Sequence, residues 1–155
     1  MRNQPILTAA EVVAQAFPAT SNIRAAQITE ADIVAAQEKF MAPVFGSLWD
    51  ALCEGAHADF AAEYIKPALA HFVKAQVLPT LGAITPYGVV EHTSESTKRA
   101  DDRQLARAIR AAADTAQALR KMALRHIEAH IDEFGEYQPT QNILRHTRIA
   151  GGVVL

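Results

Sequence analysis

The chain has 155 residues and a mass of 16.8 kDa, a size that fits one compact domain with a single core. Hydrophobic residues are 50% and charged residues 21% of the total, a balance that excludes wholesale disorder, a collagen-like repeat and a disulfide scaffold. A net charge of −2 and a pI near 6.3 argue against a free-standing nucleic-acid binder, which carries a basic domain or stripe.

That charge is unevenly spread. Residues 1–97 sum to −5 and residues 98–155 to +3, a polarity that suits head-to-tail contact between copies. Aromatic residues are only 6% while alanine is abundant, so the expected core is made of small side chains on closely approaching helices. The single cysteine, Cys53, cannot form an intramolecular disulfide, and Leu48, Trp49 and Leu52 around it predict a buried thiol in a reducing cytoplasm. Met1 to Leu7 is not a basic region followed by an apolar run, and no stretch approaches the ~20 apolar residues of a membrane span. The expectation is a soluble chain with no membrane partner.

In chain order, Thr8-Ala-Ala-Glu11 is a capping-box pattern that predicts a first helix from Ala9 to Phe17, stopped by Pro18. Thr29 is placed to cap a second, with Glu30 and Asp32 in its first turn and Ile33, Ala36 and Phe40 on one face. Pro43 interrupts that pattern. A helix restarts near Gly46-Ser47, carries Leu48, Trp49 and Leu52, and ends at Gly55. From Asp59 to Leu78 helical spacing returns, with Pro67 predicted to kink or split the helix at Lys66 and Pro79 to close it. Gly82, Pro86 and Gly88 then punctuate a stretch that reads as a β-hairpin or projecting loop over about 80–101, with Gly88-Val89-Val90-Glu91-His92 as its β-prone part.

Asp102 to Phe134 holds neither glycine nor proline. Leu105, Ile109, Ala112, Ala116, Leu119, Ala123, Ile127, Ile131 and Phe134 fall on a 3–4 stripe, with Gly135 placed for a C-terminal cap. Such a helix is on the order of 50 Å long, more than a compact domain of this size needs, so something beyond its own core is expected to meet part of it. The fold class is therefore all-α: a helical bundle over 1–137 with one very long C-terminal helix, a projecting hairpin or loop, and an extended arm over 138–155. The arm ends in Ile149-Ala-Gly-Gly-Val153-Val154-Leu155. It packs on a neighbouring chain by strand addition or folds back on its own domain.

Chemical motifs are sparse. No glycine loop is spaced to cradle a phosphate, and no nucleophile elbow surrounds Ser21, Ser47, Ser94 or Ser96. His126 and His130 lie one turn apart on one helix face, a spacing that a metal can use, but a zinc site needs three or four ligands and only Glu133 or His146 stand near. No catalytic residue, cofactor or metal is assigned on these grounds. Glu128, Asp132, Glu133 and Glu136 form an acidic patch on the last turns, for which Arg145 or Arg148 is a natural partner. Arg103, Arg107 and Arg110 form a basic row able to touch DNA phosphates, without interleaved aromatics for base stacking.

The order of segments carries a resemblance. Ile28-Thr-Glu-Ala-Asp-Ile33 leads to Val44-Phe-Gly46, Tyr64-Ile-Lys-Pro67-Ala-Leu69 and Leu81-Gly-Ala-Ile84-Thr-Pro-Tyr-Gly88-Val-Val90. A Ser/Thr/Glu run, a long Arg/Ala-rich helix and Phe134-Gly-Glu-Tyr137 follow. In this order, from Ile28 to Tyr137 and again at the glycine-containing apolar C-terminus, the chain resembles the small helical head-to-tail connector (adaptor, or head completion) proteins of tailed phages and prophages. Met1 to Gln27 departs from that likeness. The resemblance implies a non-enzymatic structural protein, made in the host bacterial cytoplasm and placed in the neck of the virion. It implies a homo-oligomeric ring, commonly a dodecamer, bound to the portal protein on one side and to a tail or next connector protein on the other. The ring would surround the channel, so that Arg103, Arg107 and Arg110 could make non-specific contact with packaged DNA. Gly88, Val89, Val90, Glu91 and His92, with Ile149, Val153, Val154 and Leu155, are the residues expected at subunit, portal or tail contacts. The competing expectation is a small helical bundle that binds a ligand or metal, or acts as an enzyme, through the His126/His130 face.

Overall fold

The computed structural model describes residues 4–81 and 102–145. The expected hairpin residues Gly88 to His92 and the arm residues Ile149, Val153, Val154 and Leu155 lie outside the described residues. Every regular element among the described residues is helical, so the protein is all-α.

Among the described residues seven α-helices run in chain order: α1 (Ala9–Ala16), α2 (Glu30–Ala36), α3 (Ala42–Phe45), α4 (Ser47–Cys53), α5 (Ala58–Phe60), α6 (Lys66–Leu81) and α7 (Asp102–Ala129). Two starts form as the sequence predicts. The Thr8 hydroxyl accepts the Glu11 N–H at 3.2 Å while Glu11 accepts the Thr8 N–H at 2.7 Å; Thr29 and Asp32 do the same at 3.2 and 2.9 Å. Each box satisfies two donors that a helix start leaves open.

Two prolines shape the middle of the chain by the same device. A π turn, Gln37–Met41, precedes Pro43, and a second, Ala61–Ile65, precedes Pro67. In an α-helix the proline ring collides with the carbonyl four residues back and offers it no N–H. Here the backbone widens first, with the Ala42 N–H bonded to Gln37 O and the Lys66 N–H to Ala61 O, so the ring arrives at the second position of a fresh α-helix. The expected break at Lys66 is therefore a π turn. Pro79 does not close α6, which continues to Leu81; at this exposed end water can solvate the carbonyl that lacks a donor, and Thr80 Oγ1 donates to Val77 O at 2.9 Å.

Helices α6 and α7 form the main packing pair, as the abundance of alanine predicts. Ala68 and Ala70 on α6 and Ala116 and Ala123 on α7 are fully buried, so the backbones approach closely. Trp49, Phe45 and Phe72 supply the few large anchors. Cys53 is half-buried against this core rather than sealed inside it. α1 packs on α6, placing Leu7, Val12, Ala16 and Phe17 in the core; residues 4–27, which lie outside the connector likeness, are thereby integral to the body.

α7 ends earlier than its stripe predicts. The His130 N–H is shared between His126 O and Ile127 O, its Nδ1 lies 2.9 Å from His126 O, and a 3-10 turn, Ile131–Glu133, follows. That turn swings Phe134 and Tyr137 inward and leaves Ile131 exposed, so Gly135 caps nothing and Ile131 leaves the buried stripe. Beyond it, residues 138–145 do not extend away as an arm. The Gln141 carboxamide oxygen accepts both the Ser47 N–H and the Ser47 hydroxyl, at 2.8 and 2.9 Å, and Asn142 donates to the Tyr137 hydroxyl at 3.1 Å.

The N-terminal segment is held by one buried side chain. Gln37 is fully buried; its oxygen accepts the Ile6 N–H at 2.7 Å and its nitrogen donates to Gln4 O at 3.1 Å. Gln37→Leu strands both backbone groups and is expected to lower unfolding stability by about 2 kcal/mol in urea denaturation. A change below about 0.5 kcal/mol would mean that water replaces the side chain there.

Glu11 also binds Lys66, at 2.8 Å, and this bond with the Thr8 N–H holds its carboxyl below the usual carboxylate range. Folding favours the ionised form, so the contribution is full above the ordinary value of 4.5 and is lost as pH falls through the lowered one. The pair is substantially solvated, so Glu11→Gln is expected to cost no more than about 1 kcal/mol at neutral pH. The gap between wild type and variant should narrow in denaturation curves as pH falls below the ordinary carboxylate value of 4.5.

Candidate functional site: an acidic, aromatic-walled cleft

The end of α7, the start of α5 and the following π turn enclose an open cleft of about 320 Å³. Its lining includes His57, Asp59, Phe60, Glu63, Tyr64, His126, Glu133 and Phe134. Phe60 and Tyr64 share one side of the π turn, which packs on α7, and their ring centroids lie 5.4 Å apart. From α7, His126 stacks on Tyr64 at 4.7 Å and on His130 at 4.4 Å. Phe134, turned back by the early end of the helix, meets Phe60 edge-on at 4.8 Å and His57 at 4.7 Å.

His57 sits in a left-handed conformation, φ 52° and ψ 46°, immediately before α5. Such a conformation is uncommon for a residue with a Cβ. It sets the imidazole against Phe134, with Nε2 3.3 Å from Glu136 Oε2. Glu136's own backbone N–H, with His57 second, holds that carboxyl below its usual range. Asp59, Glu63 and Glu133 are exposed and make no ion pair among the described residues.

Of the residues singled out from the sequence, His126 and Glu133 come together in this cleft, with His130 at its edge. Among the described residues no group of three or more His, Cys, Asp or Glu side chains is arranged to hold a metal ion. His130 Nδ1 is engaged with the His126 carbonyl, which ties that ring to its own helix. The acidic patch does find a basic partner in its own chain: Arg145 Nη2 lies 2.7 Å from Glu128 Oε1, a contact that raises the arginine's pKa. Arg103, Arg107 and Arg110 lie exposed toward the N-terminal end of α7, remote from the cleft. His57, Phe60 and Tyr64 are cleft residues that the sequence did not mark as a site: periodicity placed the two rings on a helix face and gave His57 no role. A histidine two residues before Asp59-Phe60 was the available signal, but nothing in a non-glycine residue announces a left-handed backbone.

The cleft brings imidazoles and carboxylates beside aromatic ring faces. It can bind: ring faces and carboxylates together attract a planar or apolar-bodied cation. Fold and cleft thus define an all-α protein with a surface cleft lined by aromatic rings and carboxylates. The chain belongs to a family of unknown function (DUF6712), whose profile matches residues 48–147 and so takes in every cleft residue. No curated protein and no solved structure matches the chain. Among the described residues no helix is long and apolar enough to cross a membrane.

Proposed function

We propose that this chain is a head-to-tail connector subunit of a tailed phage, a ring-forming structural protein that joins the portal to the tail around the DNA channel. One observation carries the reading beyond the resemblance itself. α7 has 28 residues, about 42 Å, yet its first buried side chain among the described residues is Ala112. The preceding turns hold Leu105 and Ile109 only half-buried and expose Arg103, Arg107 and Arg110. A helix end that its own core does not bury is natural where neighbouring copies cover it.

In this role the protein catalyses nothing. It binds a symmetric portal through many copies of a modest interface, whose affinities combine by multivalency. Light scattering on the purified protein, alone and with a portal ring, tests the reading. A large closed oligomer in either sample is the expected result; a single copy indifferent to the portal would overturn it. Deleting 149–155 should weaken assembly on a sizing column while leaving the circular dichroism of the helices unchanged.

A second reading, a helical bundle that binds a small ligand through the His126 face, is favoured by the cleft. Metal analysis addresses its metal-binding form: a stoichiometric bound metal after purification would support that form against the connector.

A further inference from the structure

We infer that the cleft receives an arginine side chain from the N-terminal end of α7 of a second copy of this chain, Arg107 or Arg110, in a head-to-tail contact. The inference rests on the ring-forming reading and names the contact that would build it.

The cleft selects its occupant by chemistry. Asp59, Glu63 and Glu133 line it with no ion pair among the described residues, and anionic ligands such as nucleotides or nucleic acid are repelled. No three-ligand group suits a bare metal ion among the described residues. The wall of Phe60, Tyr64, His126 and Phe134 presents ring faces as well as charge. A guanidinium satisfies both, since it is planar, always charged, stacks on rings and donates in a fork that matches carboxylates.

The chain offers such groups where its own cleft cannot receive them. Arg107 and Arg110 are exposed and make no ion pair among the described residues. They precede His126 by 19 and 16 residues on one continuous helix, which sets them about 24–29 Å along its axis from the cleft. No arginine side chain spans that distance, so their own cleft is out of reach and a neighbour's is not. Complementary patches at opposite ends of one helix make a heterologous interface, the kind that closes into a ring when the rotation between copies allows it. The sequence carries the same polarity, −5 in residues 1–97 against +3 in 98–155.

The test uses two full-length variants with exposed substitutions, Glu63→Arg/Glu133→Arg and Arg107→Glu/Arg110→Glu. Weight-average mass is read by sedimentation equilibrium up to about millimolar protein at low salt, where exposed charges act at longest range. Wild type should associate, and less so as salt is raised. Each variant alone should need at least about tenfold more protein to associate, because its helix end and cleft now carry like charge. Mixed one to one, the variants should associate more readily than either alone, since the intact cleft of one then meets the intact arginines of the other.

A wild type that stays a single copy throughout, or variants that associate as it does, would overturn the contact. If the variants still form a portal-bound ring, the contact falls and the connector reading stands. If Arg107→Glu/Arg110→Glu loses only salt-dependent retention on DNA, those arginines serve the channel and the contact is likewise overturned.

Discussion

Gly46→Ala should be among the most damaging single-methyl additions in this protein, lowering stability by about 3 kcal/mol and the melting temperature by roughly 10 °C. Gly46 ends α3 and opens α4 in a single residue, with φ +56° and ψ −127°, a combination that a residue with a Cβ avoids. Space is the second obstacle. A Cβ on Gly46 would overlap the Gln141 carboxamide oxygen and come within 2.8 Å of Gln141 Cβ. That carboxamide cannot move away freely, because its oxygen holds the Ser47 N–H and hydroxyl and its nitrogen donates to Gln138 at 3.1 Å.

The two causes separate in a double-mutant cycle. Gln141→Ala alone removes the cap on α4, at a cost of about 1 kcal/mol. In that background the added methyl meets no carboxamide, although the Cβ kept at position 141 still crowds it, so the further cost of Gly46→Ala should fall toward the backbone strain of about 1–2 kcal/mol, and the pair should be less than additive. Urea denaturation of the four proteins measures each side. Full additivity would mean that residues 138–145 do not rest on the α3–α4 junction.

How far the sequence foretold this structure depends on whether a feature is decided locally. The box at Thr8 and the cap at Thr29 involve four consecutive residues each and form as read, with Asp32 turning the second into a box as well. Pro43 and Pro67 mark real breaks, because the missing N–H acts wherever the proline sits, although the π turns that absorb them were not foreseen. The stripe alanines of α7, Ala112, Ala116 and Ala123, are buried as their spacing predicts. The end of α7 was not legible. Continuing the stripe through Ile131 is locally favourable, and only the attraction of Phe134 to Phe60 and His57, residues some seventy positions away, makes an early turn better. The cleft fails to show in sequence for the same reason: His126 and Glu133 were visible as a pair on one helix, but the aromatic wall that gives them a use comes from α5 and the π turn. Its occupant is harder still, since it is a property of two chains.

Arg120 is the residue on which periodicity and charge disagree most, and its removal is expected to be as damaging as any polar change in the fold. The spacing Ala116, Arg120, Ala123, Ile127 places it on the buried face of α7, where a formal charge argues against it. The structure resolves the conflict without a carboxylate partner among the described residues. Arg120 Nη1 donates to the Phe40 carbonyl at 2.7 Å, and the guanidinium lies over the Phe72 ring at 5.0 Å, which itself stacks on Phe40 at 4.4 Å. Burial lowers its pKa, but an arginine remains charged, so the carbonyl and the ring face must offset the lost hydration.

The bond also joins α7 to the irregular backbone before Pro43. Phe40 lies in the π turn that the proline requires, where the regular ladder of α-helical bonds is interrupted, and Arg120 ties that irregular turn to α7. Arg120→Ala removes the donor, the stacking and the packing of the stem, and should cost about 3 kcal/mol in urea denaturation. Arg120→Met keeps most of the stem and loses the charge with the bond, so it should cost about half as much. Arg120→Lys keeps the charge but has no planar fork to bond the carbonyl and cover the ring together, and should fall between the two. If Lys matched the wild type, charge alone would hold the contact. If Met matched it, packing alone would. The expected order, wild type above Met, Lys and then Ala, follows only if the guanidinium bonds the π turn and stacks on Phe72 at once, because a buried ammonium gains one contact while still losing its water.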